Sequence, residues 1–150
     1  MSQHERLHLD NQNPELYRTQ SSVAKQAAAA MEEAGLSREL MEVINIRISQ
    51  IHGCPFCLEI HTRRADERGA DSRKLALLPA WREAGIYTEQ ERAALSLAEM
   101  AAEKPAVENT QDYDDARAVL GDEATAAVLW MAVAISAFNT ISIMSGHQVR

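Results

Sequence analysis

Two cysteines and a histidine at short, regular spacing are the first candidates for chemistry in this sequence. Cys54 and Cys57 are the only cysteines, and His61 follows Cys57 by four residues. On a helix, residues three or four apart lie on one face, about 5–6 Å from each other. A disulfide tolerates that separation, and a histidine can accept the proton of a neighbouring thiol. The spacing therefore predicts a redox-active dithiol in which His61 is a base for Cys57 and Cys54 closes the disulfide.

The local sequence also predicts which helices carry these residues. If Cys54 caps a helix and Pro55 is its first residue, both sulfurs lie in the first turn, where free amides stabilise a thiolate. The preceding helix is predicted to start after Ser37 and to end at His52-Gly53. A break at that dipeptide lets the two helices fold back on each other as a hairpin.

Glu42 enters the site through the geometry of that hairpin. It lies ten residues before His52, and His61 lies eight residues after Gly53, so an antiparallel pair brings the two side chains to similar heights. Glu42 also has mostly apolar neighbours, and a buried carboxylate is costly unless it is paired or protonated. We therefore expect a Glu42–His61–Cys57 proton relay.

Other interpretations of these residues remain open from sequence alone. Cys54, Cys57 and His61, with His52 as a fourth ligand, could bind structural zinc, although zinc usually joins two separate segments. The thiols could also be inert and buried. His52 is equally compatible with a helix end or a site-lining position. Arg63 and Arg64 are expected on a solvated face, where proximity of either one to the thiols would stabilise a thiolate.

The composition predicts that helices alone build the scaffold. Alanine, the strongest helix former, occupies 25 positions, whereas there are only 6 glycines, 4 prolines and 5% aromatic residues. We expect an all-α protein in which residues 1–150 form one domain of about seven helices. Residues 1–12 are polar and are expected to be mobile.

The charge balance predicts which partners the protein does not bind, and the first residues predict its location. The 15 basic and 22 acidic side chains give a net charge of −7, which disfavours binding to nucleic acid or to anionic membranes. The first six residues are polar and do not resemble a secretory signal. The expected location is therefore the cytoplasm.

One stretch is long enough to cross a bilayer. Residues 124–146 contain no charge, but they are rich in alanine and are interrupted by serine, threonine and asparagine. A helix that is apolar all round must be enclosed, so we expect it in a core or a subunit interface and not in a membrane. A domain of this size encloses such a helix poorly by itself, which predicts oligomerisation.

The motif region as a whole resembles a known family. The run from 40 to 62, LMEVINIRISQIHGCPFCLEIHT, is similar to the core of the AhpD-like alkylhydroperoxidases of the carboxymuconolactone decarboxylase superfamily. The resemblance continues through 80–84 and 88–95, is close over 38–103 and is loose over the final helix. The family pattern is a Glu twelve residues before Cys-x-x-Cys-x-x-x-His, and every member of it is present.

This resemblance implies an AhpD-like all-α fold, homotrimers or homohexamers, and reduction of small hydroperoxides without metal, haem or flavin. Cys57 would attack the peroxide, Cys54 would form the disulfide, and His61 with Glu42 would transfer protons. An external dithiol or reductase would then reduce the disulfide. Phe56 is a departure, because better-studied AhpD enzymes have a second histidine there, which implies a shorter relay, a different substrate or weaker activity. The alternatives are a non-enzymatic redox-sensing or metal-binding module, and thiol–disulfide exchange with proteins initiated by Cys54.

Overall fold

The computed structural model describes residues 5–103 and 110–149, and within these ranges it contains helices and no strand. The all-α prediction is therefore confirmed. The nine α-helices of the described ranges are α1 (Leu9–Gln12), α2 (Pro14–Glu33), α3 (Arg38–His52), α4 (Pro55–Glu67), α5 (Ser72–Ala76), α6 (Trp81–Ala84), α7 (Glu89–Glu103), α8 (Gln111–Leu120) and α9 (Asp122–Ser145). A 3₁₀ turn, Leu78–Ala80, joins α5 to α6.

The helix count is higher than the predicted seven for two local reasons. The single-turn helix α1 precedes Pro14, and the helical segment from Asp71 to near Gly85, which the sequence predicts to be interrupted at Pro79, counts as α5, the 3₁₀ turn and α6. Proline lacks an amide donor and clashes with the preceding turn, so it interrupts a helix that the flanking residues favour. The polar sequence over 107–112 predicts a loop; residues 107–109 lie outside the described residues, and α8 begins at Gln111.

Side-chain caps set the starts of the helices that matter for the site. The backbone N–H of Leu40 donates to Ser37 Oγ at 3.1 Å, which starts α3 as predicted. Thr88 and Glu91, whose types and spacing predict a capping box, form one: each side chain accepts a hydrogen bond from the other residue's backbone N–H at 3.0–3.1 Å. These local signals place α3 and α7 correctly before any long-range contact is considered.

Helix α3 lies at the centre of the fold and contributes to two hydrophobic clusters. Ile44 and Ile48 pack into the larger cluster with residues of α2, α7 and α9. Val43 and Ile46 pack into a smaller cluster around Leu78, Trp81 and Leu95. A helix with apolar residues on nearly all sides requires this kind of burial, since each face must be removed from water.

Helix α9 is a core helix with one exposed stripe. By length and composition it could cross a membrane, but it packs against α2, α3 and α7 and buries eleven of its 24 residues. Trp130, Val133 and Met144 remain more than half exposed along its outer side. The inner side of α9 is therefore buried in the core as predicted, and the residues that the structure describes leave the outer stripe uncovered.

The Glu99 carboxylate accepts three hydrogen bonds and so connects α7 to α3 and α6. Glu99 accepts hydrogen bonds from Trp81 Nε1 at 2.7 Å, Arg47 Nε at 2.9 Å and Arg82 Nη2 at 3.1 Å. Burial by itself would raise the pKa of Glu99, but the hydrogen bonds from Trp81 and Arg47, with the charges of Arg47 and Arg82, lower it below its ordinary value. This network anchors α7 against the smaller cluster.

The segment that precedes α2 lies against the C-terminal end of α9. Arg6 Nη1 donates to the carbonyl oxygen of Ile143 at 2.7 Å, and the Leu9 N–H donates to Ser145 Oγ at 3.0 Å. The mobility expected for residues 1–12 stays a prediction, and these contacts count against it for the described residues 5–12. The carbonyl that Arg6 reaches belongs to the last turn of α9, where a cation is electrostatically favoured.

Candidate active site

The helix hairpin that carries the site turns at a single glycine. Gly53 follows α3 with φ of 71°, in the left-handed region, and its N–H donates to the Ser49 carbonyl at the end of the helix. Glycine adopts this conformation without the steric cost that a Cβ brings, so the chain reverses within two residues. Cys54 then caps α4, and Pro55 is the first residue of that helix.

Cys54 and Cys57 are joined by a disulfide across the first turn of α4. Their Cα atoms are 5.4 Å apart, within the separation predicted from the spacing. The Cys57 N–H donates to Cys54 Sγ at 3.3 Å, so a backbone donor of the helix N-terminus faces that sulfur. Such donors favour a thiolate over a thiol when the bond is reduced. The exposed fraction is 0% for Cys54 and 4% for Cys57.

Glu42 of α3 and His61 of α4 meet across the hairpin, as the predicted geometry requires. His61 Nδ1 donates to Glu42 Oε2 at 2.6 Å. Glu42 is buried and His61 is 13% exposed at the side chain. Because Nδ1 carries the proton that this bond needs, the neutral imidazole has its lone pair on Nε2, which is the state of a general base.

Arg68 is a site residue that the sequence analysis missed. Its Nη1 donates to the other carboxylate oxygen of Glu42, Oε1, at 2.6 Å. Glu42 is thus held between a histidine and an arginine, which offsets the cost of burying its charge. A signal was available, since Arg68 follows His61 by seven residues and therefore lies two turns further along the same side, at the C-cap of α4. Arg63 and Arg64 are closer to the cysteines in the chain, but Arg68 is the arginine that pairs with Glu42.

One cavity of about 420 Å³ brings these residues together. Cys57, Glu42, His61 and Arg68 all line it, whereas Cys54 does not. Of the two arginines singled out from sequence, Arg64 lines the cavity and Arg63 does not. The rest of the wall comes mainly from apolar side chains of α2, α4 and α9, namely Tyr17, Phe56, Ile60, Met131, Ile135 and Phe138.

Asn45 adds a hydrogen-bond acceptor to the cavity wall. Its side chain is buried, and within the described residues its Oδ1 has no hydrogen-bond partner. A buried, unpaired amide oxygen costs free energy comparable to a lost hydrogen bond. A ligand that donates an O–H inside the cavity could satisfy this atom.

His52 lies outside the cavity and its two ring nitrogens are both engaged elsewhere. Nδ1 is 3.0 Å from Asn139 Oδ1, and Nε2 is 3.2 Å from the Ala102 carbonyl oxygen. The Asn139 amide in turn donates to Ser49 Oγ at 3.0 Å. His52 therefore ties α3 to α7 and α9, which favours a structural role over the site-lining position or zinc ligation left open above.

His8 and His147 lie next to the site without lining its cavity. The His147 ring contacts Phe56, with ring centroids 5.2 Å apart, and also contacts His8 at 5.3 Å. His147 Nε2 donates to Asp10 Oδ1 at 3.1 Å. The ligand atoms of His8, Asp10 and His147 lie within 4.8 Å of one another, and this hydrogen bond accounts for the proximity of Asp10 and His147 without an ion. At the Phe56 position an aromatic packing contact thus takes the place of the second histidine of better-studied AhpD enzymes.

Together, the fold and the site define a class: an all-helical protein whose Cys-x-x-Cys disulfide opens a helix beside a buried Glu–His pair. The family model described as the carboxymuconolactone decarboxylase family matches residues 14–100. The match spans more than half of the chain and includes the hairpin with all four predicted site residues. The chain belongs to the carboxymuconolactone decarboxylase family.

Similar proteins agree with this assignment. The uncharacterised protein YdfG of Bacillus subtilis is 31% identical over 117 residues, which cover 77% of this chain and 80% of YdfG. The uncharacterised protein YnjA of Escherichia coli is 35% identical over 63 residues, or 42% of this chain and 35% of YnjA.

A solved structure supports the fold. The crystal structure of ATU0492 from Agrobacterium tumefaciens, a protein of unknown function described as a candidate antioxidant defence protein AhpD, has a TM-score of 0.85 to this chain. It is 24% identical, and the alignment covers 97% of this chain and 98% of that one. The fold is therefore AhpD-like.

Proposed function

We propose that this protein reduces small hydroperoxides with the Cys54/Cys57 dithiol, at the expense of an external dithiol. The observation that carries the proposal is that Cys57 and His61 line one cavity, with Glu42 hydrogen-bonded to Nδ1 of the imidazole. This arrangement offers a nucleophile, a base and a group that orients the base. Family membership and the AhpD-like fold support the same general role.

In the first step the Cys57 thiol loses its proton to His61, and the thiolate attacks the terminal oxygen of the hydroperoxide. The O–O bond breaks, a sulfur–oxygen bond forms, and Cys57 becomes a sulfenic acid. The leaving alkoxide takes the proton back from His61 and departs as an alcohol. Glu42 stabilises the imidazolium that exists between the two proton transfers, and Asn45 Oδ1 is available to accept the O–H of the bound hydroperoxide.

In the second step the Cys54 thiol attacks the sulfenic sulfur, and water leaves as the disulfide forms. The separation of 5.4 Å between the Cα atoms suits this condensation without movement of the backbone. The disulfide must then accept two electrons and two protons from a dithiol reductant, by thiol–disulfide exchange. The structure corresponds to this oxidised form of the cycle.

The burial of the two sulfurs favours this order over protein disulfide exchange initiated by Cys54. Cys54 is fully buried and does not line the cavity, whereas Cys57 does. Attack of the Cys54 thiolate on a protein disulfide, or of a protein thiolate on Cys54 in the disulfide, would need the start of α4 to open. The engagement of His52 elsewhere likewise weakens the metal-binding alternative, which loses its fourth ligand.

Rapid mixing of the reduced protein with hydroperoxides tests the proposal. We expect oxidation of wild type to the disulfide, no oxidation of Cys57→Ser, and accumulation of a sulfenic acid in Cys54→Ser that a dimedone reagent traps. If Cys57→Ser consumes peroxide in the presence of a dithiol as fast as wild type, the peroxidase proposal is wrong. A mixed disulfide with protein partners trapped through Cys54 in Cys57→Ser would instead support thiol–disulfide exchange.

The remaining parts of the proposal concern partners, assembly and location. We expect a dithiol reductase as electron donor, because the cycle consumes two thiols per peroxide. We expect a homotrimer or homohexamer in the cytoplasm, and the exposed stripe of α9 supports assembly, since it leaves Trp130, Val133 and Met144 in water. A second copy covering this stripe would complete the burial of α9.

A further inference from the structure

The charges around the cavity point to a particular kind of hydroperoxide. Lys25, Arg64 and Arg68 line the cavity together with His61, and Glu42 is its only acidic residue among those described. The chain as a whole has a net charge of −7, with 22 acidic side chains against 15 basic ones. A basic rim on an acidic protein attracts anions to this one place and repels them elsewhere.

The single carboxylate of the cavity is already neutralised. Glu42 Oε1 accepts from Arg68 and Oε2 from His61, each at 2.6 Å. The side chains of Lys25 and Arg64, by contrast, have no ion-pair or hydrogen-bond partner in the part of the chain that the structure describes. Two cations at the cavity without a counter-charge leave room for the negative charge of a ligand.

The rest of the cavity is apolar. Phe56, Ile60, Met131, Ile135 and Phe138 contribute to its wall, and its volume of about 420 Å³ is typical of sites for small molecules. Lys25 and Arg64 are exposed whereas Cys57 is buried, so the free cations lie toward solvent and the sulfur lies deeper. A matching ligand has an anionic group at one end and an apolar body that reaches the sulfur.

We infer that the preferred substrate is an amphipathic hydroperoxide that carries a carboxylate, bound with that carboxylate at Lys25 and Arg64. This inference rests on the proposed peroxidase function. Electrostatic contacts made at the rim act on encounter and binding of the substrate, while the reaction at Cys57 remains the one described above. The competing explanation is that Arg64 stabilises the Cys57 thiolate, which would favour neutral and anionic substrates equally.

A matched pair of substrates separates these explanations. Cumene hydroperoxide and its para-carboxylate differ only in the anionic group. We expect the reduced wild-type protein to react about tenfold faster with the carboxylate at low salt, with the preference shrinking as ionic strength rises. Arg64→Gln and Lys25→Gln should each lower the ratio of the two rates about threefold, corresponding to a typical exposed charge contact.

Arg63→Gln is the matched control, because Arg63 is exposed on the same helix and does not line the cavity. It should leave the ratio unchanged. A ratio of one or less in wild type would overturn the inference while leaving the peroxidase function standing. The inference would also be wrong if Arg63→Gln lowered the ratio as much as Arg64→Gln, or if Arg64→Gln slowed both substrates equally.

A binding measurement keeps the inference testable without turnover. Calorimetric titration of the oxidised protein with 4-isopropylbenzoate and with 4-isopropylbenzyl alcohol compares an anion with a neutral molecule of the same shape. We expect tighter binding of the benzoate, by about tenfold, and loss of that difference in the Arg64→Gln/Lys25→Gln double variant. If no hydroperoxide is consumed but this difference is found, the peroxidase proposal fails and the anion site stands. Equal binding of the two molecules would refute the anion site.

Discussion

Glu42 and His61 are nineteen residues apart in the chain, yet His61 Nδ1 lies 2.6 Å from Glu42 Oε2. The Gly53 turn makes this contact possible, because it places α3 and α4 side by side in opposite directions. The carboxylate decides which nitrogen of the imidazole carries the proton, and so it determines that Nε2 is the basic atom. A site built on two helices joined by a tight turn holds this geometry more firmly than one built on loops.

Replacing Glu42 with Gln should slow the oxidation of Cys57 by hydroperoxide by about 10–100-fold. The amide keeps the size of the side chain but does not stabilise the imidazolium, so only the charge is lost. Stopped-flow oxidation measures the effect, and Glu67→Gln, an exposed glutamate on α4, is the control. An unchanged rate in Glu42→Gln would remove Glu42 from the proposed relay.

Arg68→Gln should lower the free energy of unfolding by about 1–3 kcal/mol. The substitution removes one of the two partners of the buried Glu42 carboxylate and leaves His61 as the other. A buried charge that loses a partner destabilises the protein. Urea denaturation measures the change. Arg63→Gln, on the same helix, should stay within about 0.5 kcal/mol of wild type, and an equal loss in both variants would contradict the assigned role of Arg68.

Gly53→Ala should destabilise the protein by about 1 kcal/mol or more, because alanine is strained at a φ of 71°. The strain acts on the turn that aligns Glu42 with His61, so the rate of Cys57 oxidation should fall as well. Gly53→Asn is the comparison, since asparagine tolerates the left-handed region better than alanine. If the alanine variant proves as stable as the asparagine variant, the conformational argument is wrong.

Trp130→Glu should reduce the oligomer to a smaller species. Trp130 is 58% exposed on α9, and a carboxylate there would oppose burial of the stripe against a second copy. Light scattering after size-exclusion chromatography measures the mass. Leu77→Glu, an equally drastic change at an exposed apolar residue away from α9, should leave the assembly intact. A wild-type monomer, or an intact oligomer in Trp130→Glu, would contradict assembly through this stripe.

Glu99 makes the free energy of unfolding depend on pH in the acidic range. Its pKa is lowered in the folded state by hydrogen bonds from Trp81 and Arg47 that outweigh burial, so its stabilising contribution is complete above the ordinary pKa. That contribution is lost as pH falls through the lowered value. Glu99→Gln should therefore cost about 1–3 kcal/mol at pH 7 and progressively less in acid. Urea denaturation across pH 3–7 tests this, with Glu103→Gln, exposed at the end of α7, as a control that should show no such convergence.

The hairpin shows how far local sequence signals reach. Ser37, Gly53 and the Cys54-Pro55 pair each act on the backbone within a few residues of themselves, so the ends of α3 and α4 and the position of the disulfide could be predicted. When the ends of two helices are known and a tight turn joins them, only a few arrangements are possible. The contact between Glu42 and His61 could therefore be predicted as well. The catalytic roles of these residues stay proposals until they are measured.

Arg68 and Lys25 line the cavity, but local sequence signals did not predict that they would. Arg68 lies beyond the end of α4, and whether a long, flexible side chain reaches back to Glu42 depends on the space between helices. Lys25 belongs to α2, and the sequence contains no sign that α2 forms a wall of the same cavity. Pairing between distant segments depends on how whole helix faces pack, which no short window of sequence specifies.

By itself, the sequence determined the helical class, the hairpin and the positions of Cys54, Cys57, His61 and Glu42 on it, because spacing on a helix and caps at its ends are short-range properties. Only the tertiary structure decided that His52 is tied to Asn139 and Ala102, that α9 exposes one stripe, and that basic side chains line the cavity of Cys57. These features arise where α2, α3, α4, α7 and α9 pack together, and the free energy of packing, summed over all of them, selects the arrangement.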